Sequence, residues 1–172
     1  MRFLITWTTH NYWLPGDTRG FRTRHAKQYI PPPARFAKKG EPIYNPKQYK
    51  ALLEFHRLNA KPAVMLNEHQ KQVTADSLIG TAILSARECI TAVGTYHVHV
   101  YVDLNDDMTI AEFCRRAKTN SSRTLSKFGL KGKVWARKYH AKRISDNDLE
   151  RTRRYVISHK NQKAVIVKFQ MK

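Results

Sequence analysis

One stretch of the chain alternates more strictly than any other. In His97-Val-His-Val-Tyr-Val-Asp103 the odd positions carry His97, His99, Tyr101 and Asp103, and the even ones Val98, Val100 and Val102. Successive strand side chains point to opposite faces, so this run predicts a strand with a valine face in the core and a polar face bearing both histidines. Residues 3–9, Phe-Leu-Ile-Thr-Trp-Thr-Thr, are β-branched and aromatic and predict the first strand. Residues 89–94 predict another, with Gly94 supplying a turn before the histidine strand. Residues 133–144 read as a strand and its continuation, and 164–169 as an edge strand or a docking tail.

Between the strands the period changes. From about Asn67 to Arg87, Val73, Leu78, Ile79, Ala82, Ile83 and Ala86 fall on one helical stripe. A second helix is predicted from Thr109 to Lys127, apolar at Ile110, Phe113, Cys114, Ala117 and Leu125. A third, capped by the side-chain oxygen of Ser145 or Asp146, holds Leu149, Tyr155 and Val156 and ends near His159-Lys160-Asn161. Leu14-Pro15-Gly16-Asp17 has turn chemistry. Residues 22–50 are basic, rich in Pro (Pro31, Pro32, Pro33, Pro42, Pro46) and without a steady period, which predicts a long loop or insertion. The order β-α-β-β-α-β-α predicts an α+β fold. Its layout is a ferredoxin-like antiparallel sheet with two helices on one face, plus a C-terminal helix carrying Tyr155. The 172 residues suit one domain, 1–172, with the Pro-rich stretch as its insertion.

Composition changes the picture in one respect. Lys and Arg number 32 against 13 Asp and Glu, a net charge of +19. Such self-repulsion is offset most readily by a polyanion, so charge selects nucleic acid as the partner class without naming any chemistry. Cys89 and Cys114 form no CxxC pair, which argues against a disulfide framework or zinc ribbon and fits a reducing cytoplasm. The apolar start is short, and no run reaches the ~18 apolar residues of a membrane span. The expectation is a soluble, cytoplasmic, nucleoid-associated protein with no membrane partner; nothing distinguishes monomer from homodimer.

His97 and His99 lie two apart on one strand face, so two ring nitrogens can converge on one divalent cation. Such pairs also occur as ordinary polar surface positions. The third helix adds weight, because Tyr155 and His159 are four apart and project from one helical face. A helix packed near the histidine strand would deliver a phenol and a third ligand to one spot. The alternative is a Tyr155 at the core edge and a His159 favoured by the helix dipole.

Tyr96-His-Val-His-Val-Tyr-Val, followed by Tyr155-Val-Ile-Ser-His159, resembles the single-tyrosine HUH transposases, the small insertion-sequence transposases and their REP-associated relatives. Thr6-Trp-Thr-Thr, Trp13-Leu-Pro-Gly-Asp and Trp135-Ala-Arg are similar to the REP-associated branch. The resemblance covers most of the chain outside residues 22–50. It implies a metal-dependent enzyme with Mg²⁺ or Mn²⁺ at His97, His99 and His159. Tyr155 would attack a scissile phosphate of single-stranded or hairpin-flanked DNA, giving a 5′-phosphotyrosine and a free 3′-OH. Two departures concern the third ligand. It is often an amide in such enzymes, and Asn161-Gln162 stands where many REP-associated members carry Asn-Pro. Gln162 and His140 therefore remain in reserve beside His159. Arg115, Arg116, Lys118, Arg137 and Lys138 are candidates to track the DNA backbone, Trp13 or Trp135 to stack on bases, and Arg151 and Arg154 to stabilise the phenolate. The competing readings are a non-catalytic nucleic-acid-binding module, a replication-initiator-type nicking endonuclease, and a zinc hydrolase. The last lacks an acidic general base beside the histidines.

Overall fold

A computed structural model describes residues 1–22, 29–30 and 45–171. In chain order its elements are β1 (Arg2–Thr8), β2 (Phe21–Arg22), β3 (Tyr29–Ile30), α1 (Pro46–Asn59), α2 (Glu68–Ile83), β4 (Ala86–Val93), β5 (His97–Leu104), α3 (Ile110–Lys127), β6 (His140–Arg143), α4 (Leu149–Ser158) and β7 (Val165–Gln170). Short 3₁₀ turns over Asp146–Asp148 and His159–Gln162 flank α4. The chain divides into two compact units, Met1–His10 with Val64–Lys172, and Asn11–Ala63.

The first unit is built on one five-stranded sheet in the order β6-β1-β5-β4-β7, every neighbouring pair antiparallel. With β7 set aside, the strand order and the β-α-β-β-α-β succession are those of a ferredoxin-like α+β fold. The two faces do different work. Val98, Val100 and Val102 share theirs with Ile5, Trp7, Cys89 and Val93, packed beneath Ala75, Leu78 and Ala82 of α2 and Phe113, Ala117 and Leu125 of α3. Each fully buried aliphatic or aromatic side chain contributes roughly 1.5–3 kcal/mol, so this layer dominates the stability of the sheet. The opposite face carries the histidines and is partly roofed by α4. There Val156, with Leu149 and Ile157, meets Leu4, Ile90, Ala92 and Tyr101.

The helices begin where side chains satisfy free N–H groups. Asn67 and Gln70 form a reciprocal capping box at α2, and Thr109 accepts the Glu112 N–H at α3. Ser145 and Asp146 depart from expectation. Ser145 precedes the 3₁₀ turn but makes no side-chain cap bond, and α4 starts three residues later, after Asp148.

The strand expected over 133–144 is also interrupted. Trp135 makes an isolated bridge to Thr9, Ala136 N–H donates to the Thr8 carbonyl, and only 140–143 form a regular ladder with β1. At the break the freed carbonyls find a side-chain partner: the Lys118 ammonium lies 2.9 and 3.0 Å from the carbonyls of Ala136 and Lys138, and 3.4 Å from that of Arg137. The final run is the edge strand β7, paired along β4 rather than docked as a tail.

The second unit contains the turn expected at Leu14–Asp17, and the positive φ of Gly16 makes it type II. Asp17 N–H reaches the Leu14 carbonyl and Gly16 has φ 88, where a Cβ would lie 2.5 Å from the Tyr49 carbonyl oxygen. Phe21 and Ile30 pack against Tyr49 and Leu52. The irregular stretch expected over 22–50 falls mostly outside the described residues. Its end is not a loop: Pro46 occupies the first turn of α1, with Asn45 as N-cap accepting from Lys47 and Gln48. Helix α1 was hidden from pattern reading because Phe55 and Leu58 point to solvent and blur its apolar stripe. No helix among the described residues is long and apolar enough to cross a membrane.

Candidate active site

Strand register explains how the histidines are presented. On β1 the even positions face away from the valine core, and Thr6 pairs with His99 and Thr8 with His97. Residues directly opposite in a ladder share a face, so Thr6 stands beside His99, and its hydroxyl lies 2.9 Å from His99 Nδ1. Helix α4 crosses this face and continues into the 3₁₀ turn that begins at His159. The result is a cluster of His97, His99 and His159, whose ligand atoms all lie within 4.8 Å of one another. Ring centroids of His99 and His159 are 4.2 Å apart, those of His97 and His99 5.0 Å.

The cluster is suited to hold a cation. His159 Nδ1 lies 2.9 Å from the Tyr155 carbonyl. A carbonyl only accepts, so Nδ1 carries the proton and Nε2 presents its lone pair, as metal-bound histidines do when an outer group fixes the tautomer. The Thr6 hydroxyl engages Nδ1 of His99; a hydroxyl both donates and accepts, so this contact orients the ring and directs Nε2 toward the cluster without fixing the tautomer. Burial, followed by the neighbouring His159 and His97, pushes His99 down to about 3; burial and His159 lower His97 as well. These two imidazoles are therefore neutral at neutral pH, the form a metal requires.

Tyr155 stands at the rim. Its ring centroid is 5.6 Å from His99 and 4.8 Å from His159, and it is 45% exposed, open to a macromolecular substrate. The helix that carries it is fixed by Arg153, whose guanidinium bonds Glu88 of β4 and Glu150 and lies 5.6 Å over the Tyr101 ring. Tyr101 in turn donates to Glu88. The sequence alone does not reveal this anchor, since Glu88 and Arg153 are far apart in the chain and meet only where α4 packs on the sheet.

The other expected residues are scattered. His140 shares the histidine face but sits beyond Thr6 on the edge strand, exposed and outside the cluster. Gln162 is exposed at the end of the 3₁₀ turn. Arg115 and Arg116 both bond Glu112 on α3, in the layer on the other side of the sheet from the histidines. Lys118 departs from its expected role, its ammonium being half-buried against the 136–138 carbonyls. Trp135 is excluded as a stacking platform. It is buried, donates to Ser121 Oγ and packs edge-on against Trp7. Trp13 belongs to the second unit, half-exposed, with the Arg19 guanidinium 4.8 Å from its ring. Arg151 pairs with Asp148, and Arg137, Lys138 and Arg154 are exposed.

Gly94 has a role beyond turning the chain. A Cβ there would lie 3.3 Å from Cε1 and 3.4 Å from Nε2 of His97. Gly94→Ala should therefore displace the His97 ring by a few tenths of an ångström. The expected result is a weakening of Mn²⁺ binding by about tenfold, in the range of other changes beside a ligand, with thermal stability altered by less than about 1 kcal/mol. Parallel metal titration and thermal melts check this; unchanged affinity would show that His97 yields without cost.

The three converging imidazoles and the helical tyrosine all lie within the segment over which the chain matches a known family. Residues 89–159, from within β4 to His159 just past α4, match the family described as "Transposase IS200 like". The likeness inferred from the histidine and tyrosine motifs is thus shown over the segment that contains them. Among solved structures the chain is similar to one described as "Structure of the REP associates tyrosine transposase bound to a REP hairpin", at 12% identity and a TM-score of 0.49, covering 94% of this chain and 67% of that one. No curated protein matches.

Proposed function

We propose that the chain is a metal-dependent DNA transposase or endonuclease that cleaves and rejoins single-stranded, hairpin-flanked DNA through a phosphotyrosine at Tyr155. The observation that carries this reading is the tyrosine ring at the rim of the three-histidine cluster. His97, His99 and His159 would hold Mg²⁺ or Mn²⁺, with imidazole donors favouring Mn²⁺, and the bound cation would neutralise and polarise the scissile phosphate.

Tyr155 Oη attacks phosphorus, the bond from phosphorus to the 3′-oxygen breaks, and the departing oxygen takes up a proton as a free 3′-OH. The DNA 5′-phosphate remains esterified to the phenol. Attack by a different 3′-OH reverses the step, releases Tyr155 and joins strands without ATP, because the phosphoester is conserved throughout. Arg151 and Arg154, on the same helix, would favour the phenolate. We read residues 1–172 as one transposase domain carrying an insertion, acting on DNA in the cytoplasm at the nucleoid.

Incubating the chain and Mn²⁺ with end-labelled, hairpin-flanked oligonucleotides, then running a denaturing gel, tests the reading. A protein–DNA adduct band and a matching nicked strand are expected. Tight binding without an adduct would favour a non-catalytic nucleic-acid module instead.

The approach of the strand has its own expected result. Arg137 and Lys138 are exposed and make no ion pair among the described residues. They lie in the segment that flanks β1 opposite the His97 pairing. Lys142 faces the same side as Tyr101, through Leu4. Each phosphate contact on a single strand adds about 0.7 to the salt slope of binding. Replacing Arg137, Lys138 and Lys142 together by Gln should then flatten the slope by about 2, whereas Arg115→Gln with Arg116→Gln should leave it unchanged. Slopes from fluorescence anisotropy across a salt series decide, and the reverse pattern would move the DNA track to α3.

A further inference from the structure

Helix α2 has a lysine where its stripe calls for an apolar residue. Positions 71, 75, 78 and 82 follow the helical period, and Ala75, Leu78 and Ala82 are fully buried in the core. Lys71 is just as buried, at 1% exposure. Its ammonium donates to the Lys163 carbonyl at 2.7 Å and pairs with Glu68 Oε1 at 2.6 Å. Removing an ammonium from water is costly unless it is paired and hydrogen-bonded, so an apolar residue would serve the core better at this position.

The acceptor it reaches is unusual too. Lys163 has φ 58, a left-handed conformation that residues with a side chain rarely adopt. It stands at the end of the turn that carries His159, and that turn is closed by two backbone bonds, Lys163 N–H to the Lys160 carbonyl and Ala164 N–H to the His159 carbonyl. These are the paired bonds of a Schellman motif, with His159 at its inner position and Lys163 where glycine is usual. His159 is therefore held on both sides. Its imidazole bonds the Tyr155 carbonyl, and its own carbonyl belongs to the turn that Lys71 grips from a different helix.

We infer that Lys71 is a positioning residue for the third imidazole of the cluster: the buried ammonium fixes the left-handed turn at Lys163 and so sets where His159 Nε2 points. The inference rests on the proposed ligand role of His159. It extends that role to a residue that touches neither DNA nor cation, and it accounts for two local costs, a buried charge and a left-handed lysine, with one purpose.

Calorimetric titration of Mn²⁺ into the full chain tests this, using Lys71→Met, His159→Ala and the double variant, each with a thermal melt. Lys71→Met should weaken Mn²⁺ binding by about tenfold or more, as loss of a ligand's outer support does. In the His159→Ala background the same change should cost nothing further, because the group being positioned is gone. Wild-type affinity in a folded Lys71→Met chain overturns the inference. So does an equal loss in both backgrounds, which is the mark of general destabilisation. Should Lys71→Met not fold, Lys71→Gln, which retains an N–H donor on a shorter stem, goes through the same cycle with the same deciding outcomes. Absence of Mn²⁺ binding by the unaltered chain overturns the metal centre and this inference together, so the two failures are distinguishable.

Discussion

Tyr155→Phe is expected to bind hairpin-flanked DNA and Mn²⁺ as the unaltered chain does, and to form no covalent adduct. The substitution removes one oxygen from a half-exposed ring and keeps the ring itself, whose edge contacts to His99 and His159 are aromatic. Stability should therefore change by no more than about 0.5 kcal/mol, the usual range for a surface position. Chemistry responds differently. Without the phenolic oxygen no bond to phosphorus forms, and cleavage should fall by at least about a thousandfold, as when other nucleophiles are deleted. The comparison that matters is between two gels from one reaction. A native gel should show the shifted complex for both chains, and a denaturing gel the adduct for the unaltered chain alone. Adduct formation by the Phe variant would mean that another tyrosine attacks.

How much of this was legible in the sequence depended on the range over which each feature is encoded. The face of β5 followed from alternation alone, since side-chain direction in a strand is a two-residue property. The i,i+4 relation of Tyr155 and His159 was equally local. The meeting of strand and helix was not local: it follows from β4 and β5 offering Ile90, Ala92 and Tyr101 as a seat for Val156, which no period reports. The same limit hid Thr6. Sequence marks it as one β-branched residue among several, and only the β1–β5 register makes it the partner of His99.

Two misreadings have physical causes of the same kind. Lys118 and Trp135 look like backbone-tracking and base-stacking residues by type. Lys118 is consumed by carbonyls that the broken strand at 136–138 leaves without ladder partners, and Trp135 by the core beneath them. Lys71 shows the converse, a charged residue that pattern reading assigns to solvent and that the fold buries. Lys118 and Lys71 each answer backbone carbonyls outside the regular ladders, and Trp135 answers the core and the Ser121 hydroxyl, demands visible only once the chain is folded.

His99→Ala should have the largest effect on the metal centre. The His99 ring centroid lies 5.0 Å from that of His97, 4.2 Å from that of His159 and 5.6 Å from that of Tyr155. Among the described residues, His99 alone of the three imidazoles is also held by a side chain of the neighbouring strand, the Thr6 hydroxyl at 2.9 Å. Replacing it removes a ligand, leaves the Thr6 hydroxyl without its partner, and opens space under the tyrosine. Mn²⁺ affinity should fall by more than the roughly 10–100-fold that follows loss of an outer-shell partner, and adduct yield at fixed Mn²⁺ should fall with it. Thr6→Val supplies the graded comparison. It keeps the ligand and the shape of the β-branched side chain but frees the ring, so a loss of about tenfold is expected, recoverable by raising Mn²⁺. Metal titrations of the three chains, paired with adduct yields across a Mn²⁺ series, separate the cases. A His99→Ala chain that binds Mn²⁺ as tightly as the unaltered one would place the cation elsewhere, and Tyr155 would then lack the charge that its attack on an anionic phosphate requires.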